Sequence, residues 1–176
     1  MAITLISTVT VGAGGAATFS FTSIPTTFTD LLIEASIRTA SGNGATNLTF
    51  NSDTGTNYSW RVLYGNGSTT SSTTGASQVK VAIGQGSYPS DTASTFGSAS
   101  IYIPNYLSSS AKSLSVDSVE ENNGAAAAQN IYAGIWTGTA AITSIQFVLN
   151  SATFDVGTSV SLYGISKSGA TGATVA

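Results

Sequence analysis

Polar and apolar side chains alternate along almost the whole chain, and this period of two restricts its fold more than any other feature. The clearest stretch runs from Asp30 to Thr39, where Leu31, Ile33, Ala35 and Ile37 point one way and Leu32, Glu34, Ser36 and Arg38 the other. Successive side chains of extended backbone face opposite sides, so such a stretch is a half-buried strand. Similar patterns cover Ile3–Val11, Ala17–Phe21, Asn47–Asn51, Tyr58–Tyr64, Gln78–Ile83, Ser98–Ile103, Ser113–Val119, Asn130–Trp136, Ile142–Leu149 and Ser159–Ile165. These make about eleven candidate strands, of which about two are expected to be loops.

Between them lie Gly12–Gly15, Ser41–Gly44, Asp53–Gly55, Gly65–Gly67 and Asn122–Gly124, where Gly and Asn permit positive φ. Short strands at intervals of roughly 8 to 12 residues predict an all-β fold: a two-sheet antiparallel sandwich, jelly-roll-like, of about 8 to 11 strands. Its core is expected to hold Leu31, Ile33, Ile37, Phe50, Phe147, Leu149 and Leu162. The glycines of Gly12–Gly15 and Gly84–Gly86 are expected in hairpin turns. Helical periodicity is missing, and only Ala125–Gln129 would make a single helical turn. Gly67–Gly75, almost wholly Ser and Thr, is expected to be mobile. The division expected is one sandwich domain over 1–166 and a flexible C-terminal tail over 167–176.

Charged residues make up only 7% of the 176 residues, while Ser and Thr supply about three in ten. The net charge of −3 comes from five basic and eight acidic residues, with no Lys/Arg stripe to release counterions from a phosphate backbone. Nucleic acid is therefore not an expected partner. No apolar run reaches the roughly 18 to 20 residues of a membrane span, and Met1–Gly12 lacks the basic and apolar regions of an export signal. Cys is absent, so neither disulfides nor thiolate ligands are available.

His is absent too, which removes the usual general base and every Ser-His-Asp or Cys-His arrangement. Carboxylate chemistry remains, with Asp30, Glu34, Asp53, Asp91, Asp117, Glu120, Glu121 and Asp155 as the available groups. Glu34 is read as a solvated surface partner of Arg38. Glu120 and Glu121 would face opposite sides of a sheet, and Asp91 and Asp155 are read as turn residues that bond nearby backbone. No catalytic residue, cofactor or metal ligand is assigned, and the chain is not expected to be an enzyme. Asn51–Asn57 gathers side-chain oxygens around Gly55 and admits Ca²⁺, but an Asx turn between two strands is preferred. Tyr58, Trp60 and Tyr64 share one strand face, and Tyr132 and Trp136 share another. Three roles stay open for these five aromatics: sandwich core, subunit interface, or a glycan platform.

Four segments taken together resemble a known group of proteins. They are Phe21–Pro25 leading to Thr29–Leu32; Phe50–Ser59; Phe96–Ser98 with Ile101–Tyr106; and Ser161–Ile165. The combination is similar to small jelly-roll structural proteins of tailed phages, notably those of cyanobacteria and aquatic bacteria, over most of the chain. The resemblance implies a capsid decoration (cement) protein on the outer surface of the virion, made in the host cytoplasm, acting as a homotrimer and binding the major capsid protein or other virion proteins. A tail-associated or receptor-binding module that grips host surface glycan is the alternative. None of the four segments is a catalytic signature.

Overall fold

The computed structural model describes residues 2–42, 44–121 and 127–166. They form twelve strands and no helix. In chain order these are β1 (Ala2–Thr10), β2 (Thr18–Phe21), β3 (Asp30–Ile37), β4 (Ala45–Phe50), β5 (Tyr58–Gly65), β6 (Thr70–Gln78), β7 (Val81–Gln85), β8 (Gly97–Ile103), β9 (Lys112–Glu121), β10 (Ala127–Trp136), β11 (Ile145–Leu149) and β12 (Ser159–Ser166). Ten of the eleven expected strands are present; the eleventh, Gln78–Ile83, straddles the end of β6, a bend at Val79 and Lys80, and the start of β7 in the other sheet. The expected tail, 167–176, and the turn Asn122–Gly124 lie outside the described residues.

Two antiparallel sheets result, ordered β1-β12-β3-β8-β9-β10-β5-β6 and β2-β11-β4-β7. The order follows a simple rule once the hairpins β5–β6 and β9–β10 are set aside. The first four strands of the remaining frame pair with the last four in reverse: β1 with β12, β2 with β11, β3 with β8 and β4 with β7. That nested pairing, alternating between sheets, is the jelly roll. Both set-aside hairpins join the same sheet beyond β8, so one layer has eight strands and the other four.

Period-two burial explains why the layers pack. On β3, Leu31, Ile33, Ala35 and Ile37 are buried, and on β10 so are Asn130, Tyr132, Gly134 and Trp136. The facing sheet contributes Leu48, Phe50, Ile145, Phe147 and Leu149. The core residues expected from sequence are all buried. Phe50 of the small sheet, tilted on Trp136 of the large one at 5.6 Å, links the layers, while Phe19 stacks on Phe147 at 5.0 Å within the small sheet.

Four expectations are corrected. Gly67–Gly75 is largely strand: β6 pairs with β5 in register from Gly65↔Thr70 to Trp60↔Gly75. Ala127–Gln129, expected to turn as helix, is strand in β10; residues 125 and 126 lie outside the described residues. Gly12–Gly15 makes no hairpin, because β1 and β2 belong to different sheets, and Gly84 lies within β7. Arg38 is not on the surface beside Glu34. The strand ends at Ile37, so Arg38 leaves the alternation and turns under two loops, where its guanidinium bonds the carbonyls of Thr92 and Thr95 and lies by Asp155.

Candidate functional site

Register merges the two aromatic rows into one. Trp136 pairs with Tyr58, Gly134 with Trp60, Tyr132 with Val62 and Asn130 with Tyr64, so all five aromatics face the four-stranded sheet. Their environments then diverge. Tyr58 and Trp136 stack at 6.4 Å inside the core, and Tyr132 is buried beside them, which removes these three from any solvent-facing platform. Burial pushes the Tyr58 hydroxyl up to about 12 and raises that of Tyr132 as well. Trp60 and Tyr64 remain only half-buried.

Asp53 organises the closed end of this row. Its Oδ1 accepts the Gly55 N–H at 2.8 Å, and its Oδ2 accepts Asn57 Nδ2 at 2.9 Å and Trp136 Nε1 at 2.7 Å. The Trp136 indole N–H, then the Asn57 amide and the Gly55 amide, hold this carboxyl below its ordinary value. The loop is thus the Asx turn preferred from sequence. Asn51 Oδ1 likewise accepts the N–H groups of Thr143 and Ser144. Two of the side-chain groups that suggested Ca²⁺, Asn51 and Asp53, thus accept from protein donors.

The open end of the row is shaped by the unequal widths of the sheets. β7, the edge of the four-stranded sheet, packs across β9 and β10, while β6 is exposed along nearly its whole length. A furrow borders β7, and part of its wall is Ala45, Thr46 and Asn47 of the paired strand β4. It holds a cavity of about 330 Å³ lined by Tyr64, Gln85, Tyr88 and Glu120, and another of about 200 Å³ lined by Asn47, Trp60, Lys80 and Tyr132. Gln85 belongs to both. Trp60 is held by two contacts. Its indole meets Tyr132 edge-on at 6.0 Å, and it lies against Gly75 so closely that a Cβ there would sit 2.6 Å from Nε1. Any larger residue at position 75 displaces the ring.

Polar groups converge on this furrow. The Tyr88 hydroxyl donates to Gln85 Oε1 at 2.6 Å, which leaves the Gln85 amide N–H₂ free. Burial, and then the neighbouring carboxyl of Asp91, raise Glu120 to about 7. Burial together with Glu120 and Asp91 lifts Tyr88 to about 12. Asn130 lies on the same face between Tyr132 and Ala128, and its buried Nδ2 has no hydrogen-bond partner among the described residues. Alternation alone marks Trp60 and Tyr64, but nothing in sequence brings Gln85 and Tyr88 to them across the sandwich.

Protein-family profiles, characterised proteins and solved structures show no match to this chain. Its surfaces therefore have to be judged by their own chemistry. Four further carboxylates bond neighbouring groups of the fold. Glu34 accepts from Ser100 Oγ at 2.8 Å, Asp91 Oδ2 accepts the Tyr88 N–H and Asp155 Oδ1 the Val156 N–H, while Asp30 accepts Tyr102 Oη–H at 2.7 Å and the Asn105 N–H. Asp91 and Asp155 are the turn residues expected from sequence. Among the described residues no three His, Cys, Asp or Glu side chains gather to hold a metal.

The outer face of the eight-stranded sheet carries two apolar zones. On β5 and β10, Leu63, Ile131 and Ile135 are 63%, 52% and 44% exposed, and the first two line a groove of about 710 Å³ bordered by Arg61 and Ser115. At the opposite edge, Leu5, Tyr163, Leu32 and Tyr102 lie side by side across β1, β12, β3 and β8, with Ile3 and Leu5 more than half exposed. Ser98, Ser100, Ser113 and Ser115 lie between the zones.

Proposed function

We propose that this chain is a structural protein of a tailed-phage virion, a capsid decoration protein that clamps and stabilises the shell from outside. The observation that carries the proposal is the outer face of the eight-stranded sheet. Exposed Leu63, Ile131 and Ile135 share this face with the small hydroxyl side chains of Ser72, Thr74, Ser113 and Ser115, and only two charges, Arg61 and Asp117, stand against them, so most of the surface is cheap to desolvate. Ser and Thr lose little rotamer freedom when fixed, so a hydroxyl-rich face can hydrogen-bond across a contact at small entropic cost. Three copies around a local threefold would each contribute such a face, and every contact needs about 1,000 Å² of total buried surface to be stable.

The test is reconstitution. Shells lacking the protein are mixed with purified chain and followed by sedimentation and thermal release of DNA. Saturable binding at fixed stoichiometry, with a raised rupture temperature, is expected, and Ile131→Asp with Leu63→Asp should abolish both. Shells that rupture at the same temperature with and without bound protein would sink the proposal. A tail-associated, glycan-binding role is the second reading, favoured by the furrow beside β7.

A further inference from the structure

The furrow has features that shell docking does not use. It lies on the other face of the large sheet from Leu63 and Ile131, since side chains one residue apart on a strand point to opposite sides. It also concentrates polar groups that the folded chain leaves without partners. Among the described residues, neither Trp60 Nε1 nor the Tyr64 hydroxyl makes a hydrogen bond, and the Gln85 amide offers two N–H groups; Asn130 Nδ2, buried with nothing to bond, sits on the strand pair beneath but lines neither cavity. Donors left free beside two partly exposed rings are available to an occupant from outside the chain.

We infer that the furrow between β7 and the overhanging strands β5 and β6 is a binding cleft for a neutral oligosaccharide, with Trp60 and Tyr64 as its stacking surfaces and Gln85 and Glu120 as its principal hydrogen-bonding groups. The chemistry of the lining selects this class. The C–H faces of pyranose rings pack on half-exposed aromatic rings, and their hydroxyls both donate and accept. Amide and carboxyl side chains supply matching pairs, as Gln85 and Glu120 do here. Anionic ligands are disfavoured, because Lys80 is the sole cation among the residues lining the two cavities, while Glu120 and the neighbouring Asp91 are acids. Purely apolar ligands are disfavoured by the amides and hydroxyls. Two cavities of about 330 and 200 Å³ lie on either side of Gln85, which lines both, and the larger falls within the roughly 300 to 1,000 Å³ usual for ligand sites. The raised Glu120 carboxyl adds a protonated form at neutral pH that can itself donate to a sugar oxygen.

The inference is tested with the full-length chain on an array of bacterial surface oligosaccharides, followed by NMR titration with the strongest glycan on that array. Binding is expected, with shifts confined to amides around Trp60, Tyr64, Gln85 and Glu120. Trp60→Ala should weaken it about tenfold or more, as loss of a buried aromatic anchor does. Gln85→Ala, which removes no ring from the fold, gives the same answer should Trp60→Ala fail to fold. Leu63→Ser on the outer face should leave glycan affinity unchanged. Silence across the array, shifts mapping elsewhere, or equal affinity in the Gln85→Ala chain would each overturn the inference. Shell binding by the furrow variants is read in parallel, so the decoration proposal and the glycan cleft stand or fall separately.

Discussion

Arg38 Nε lies 3.4 Å from Asp155 Oδ2, and the same guanidinium donates through Nη1 to the carbonyls of Thr92 and Thr95, both at 3.0 Å. One side chain thus ties the end of β3 to the loop before β8 and to the loop before β12. Thr158 closes the same junction, its hydroxyl accepting the Arg38 N–H and donating to the Arg38 carbonyl. Breaking a buried charge cluster by removing one partner leaves the others desolvated and unpaired. Arg38→Met should therefore cost about 3 kcal/mol in urea unfolding. Asp155→Asn leaves the guanidinium bonded to the Thr92 and Thr95 carbonyls and removes a carboxylate that is a third exposed, so it should cost only about 1 kcal/mol. Equal losses in the two variants would contradict this assignment.

Asp53→Ala removes the acceptor for Trp136 Nε1, for Gly55 N–H and for Asn57 Nδ2 together. A buried indole N–H left without a partner costs about 1 to 3 kcal/mol. Because the folded state holds the Asp53 carboxyl below its unfolded value, its stabilisation is complete above that unfolded value, near pH 4, and is lost as pH falls through the folded one. Wild-type stability should fall on acidification below about pH 4, and the Asp53→Ala chain should show a shallower fall. Parallel pH profiles for the two chains would refute the linkage.

Glu120 works in the opposite sense. Its folded value of about 7 exceeds the model-compound 4.5, so the unfolded chain ionises first. Its contribution is full below pH 4.5 and is lost as pH rises through about 7. Glu120→Gln should equal wild type in stability near pH 4, gain on it between, and keep the full advantage above pH 7. Chemical denaturation at pH 4, 6 and 8 measures this directly, and a wild type more stable than the variant at pH 8 would contradict it.

Gly75→Val would place side-chain carbon where the Trp60 indole lies. The ring is only half-buried and can swing outward, so the expected result is a red-shifted Trp emission with the far-ultraviolet circular dichroism of a β-protein retained. An unchanged emission maximum would mean that Gly75 does not position the indole.

The fold was legible because half-buried strands announce themselves by alternation. β3 shows this in Leu31, Ile33, Ala35 and Ile37, all buried as expected. β6 escaped for a physical reason. With both faces exposed apart from Gly75, it needs no apolar side, so Thr70–Gln78 carries no periodic signal to separate it from a loop. Arg38 was misplaced because alternation was carried one residue beyond the strand's end. The candidate site was only half visible. Trp60 and Tyr64 could be placed on one face, but Tyr58 and Trp136 share that face and are buried, and the difference arises from how far the second sheet reaches. Gln85 and Tyr88 reach the furrow through a cross-sheet packing that no local pattern encodes.

The widest sheet of this protein ends in two bare rims. β1 at one end and β6 at the other are exposed along most of their length, and neither Ala2–Thr10 nor Thr70–Gln78 contains a proline or a charged residue to discourage a newcomer. The result is a constraint on concentration. As copies accumulate, ladder growth from rim to rim competes with the isolated fold, so the fraction that stays dispersed should fall with the amount of chain present.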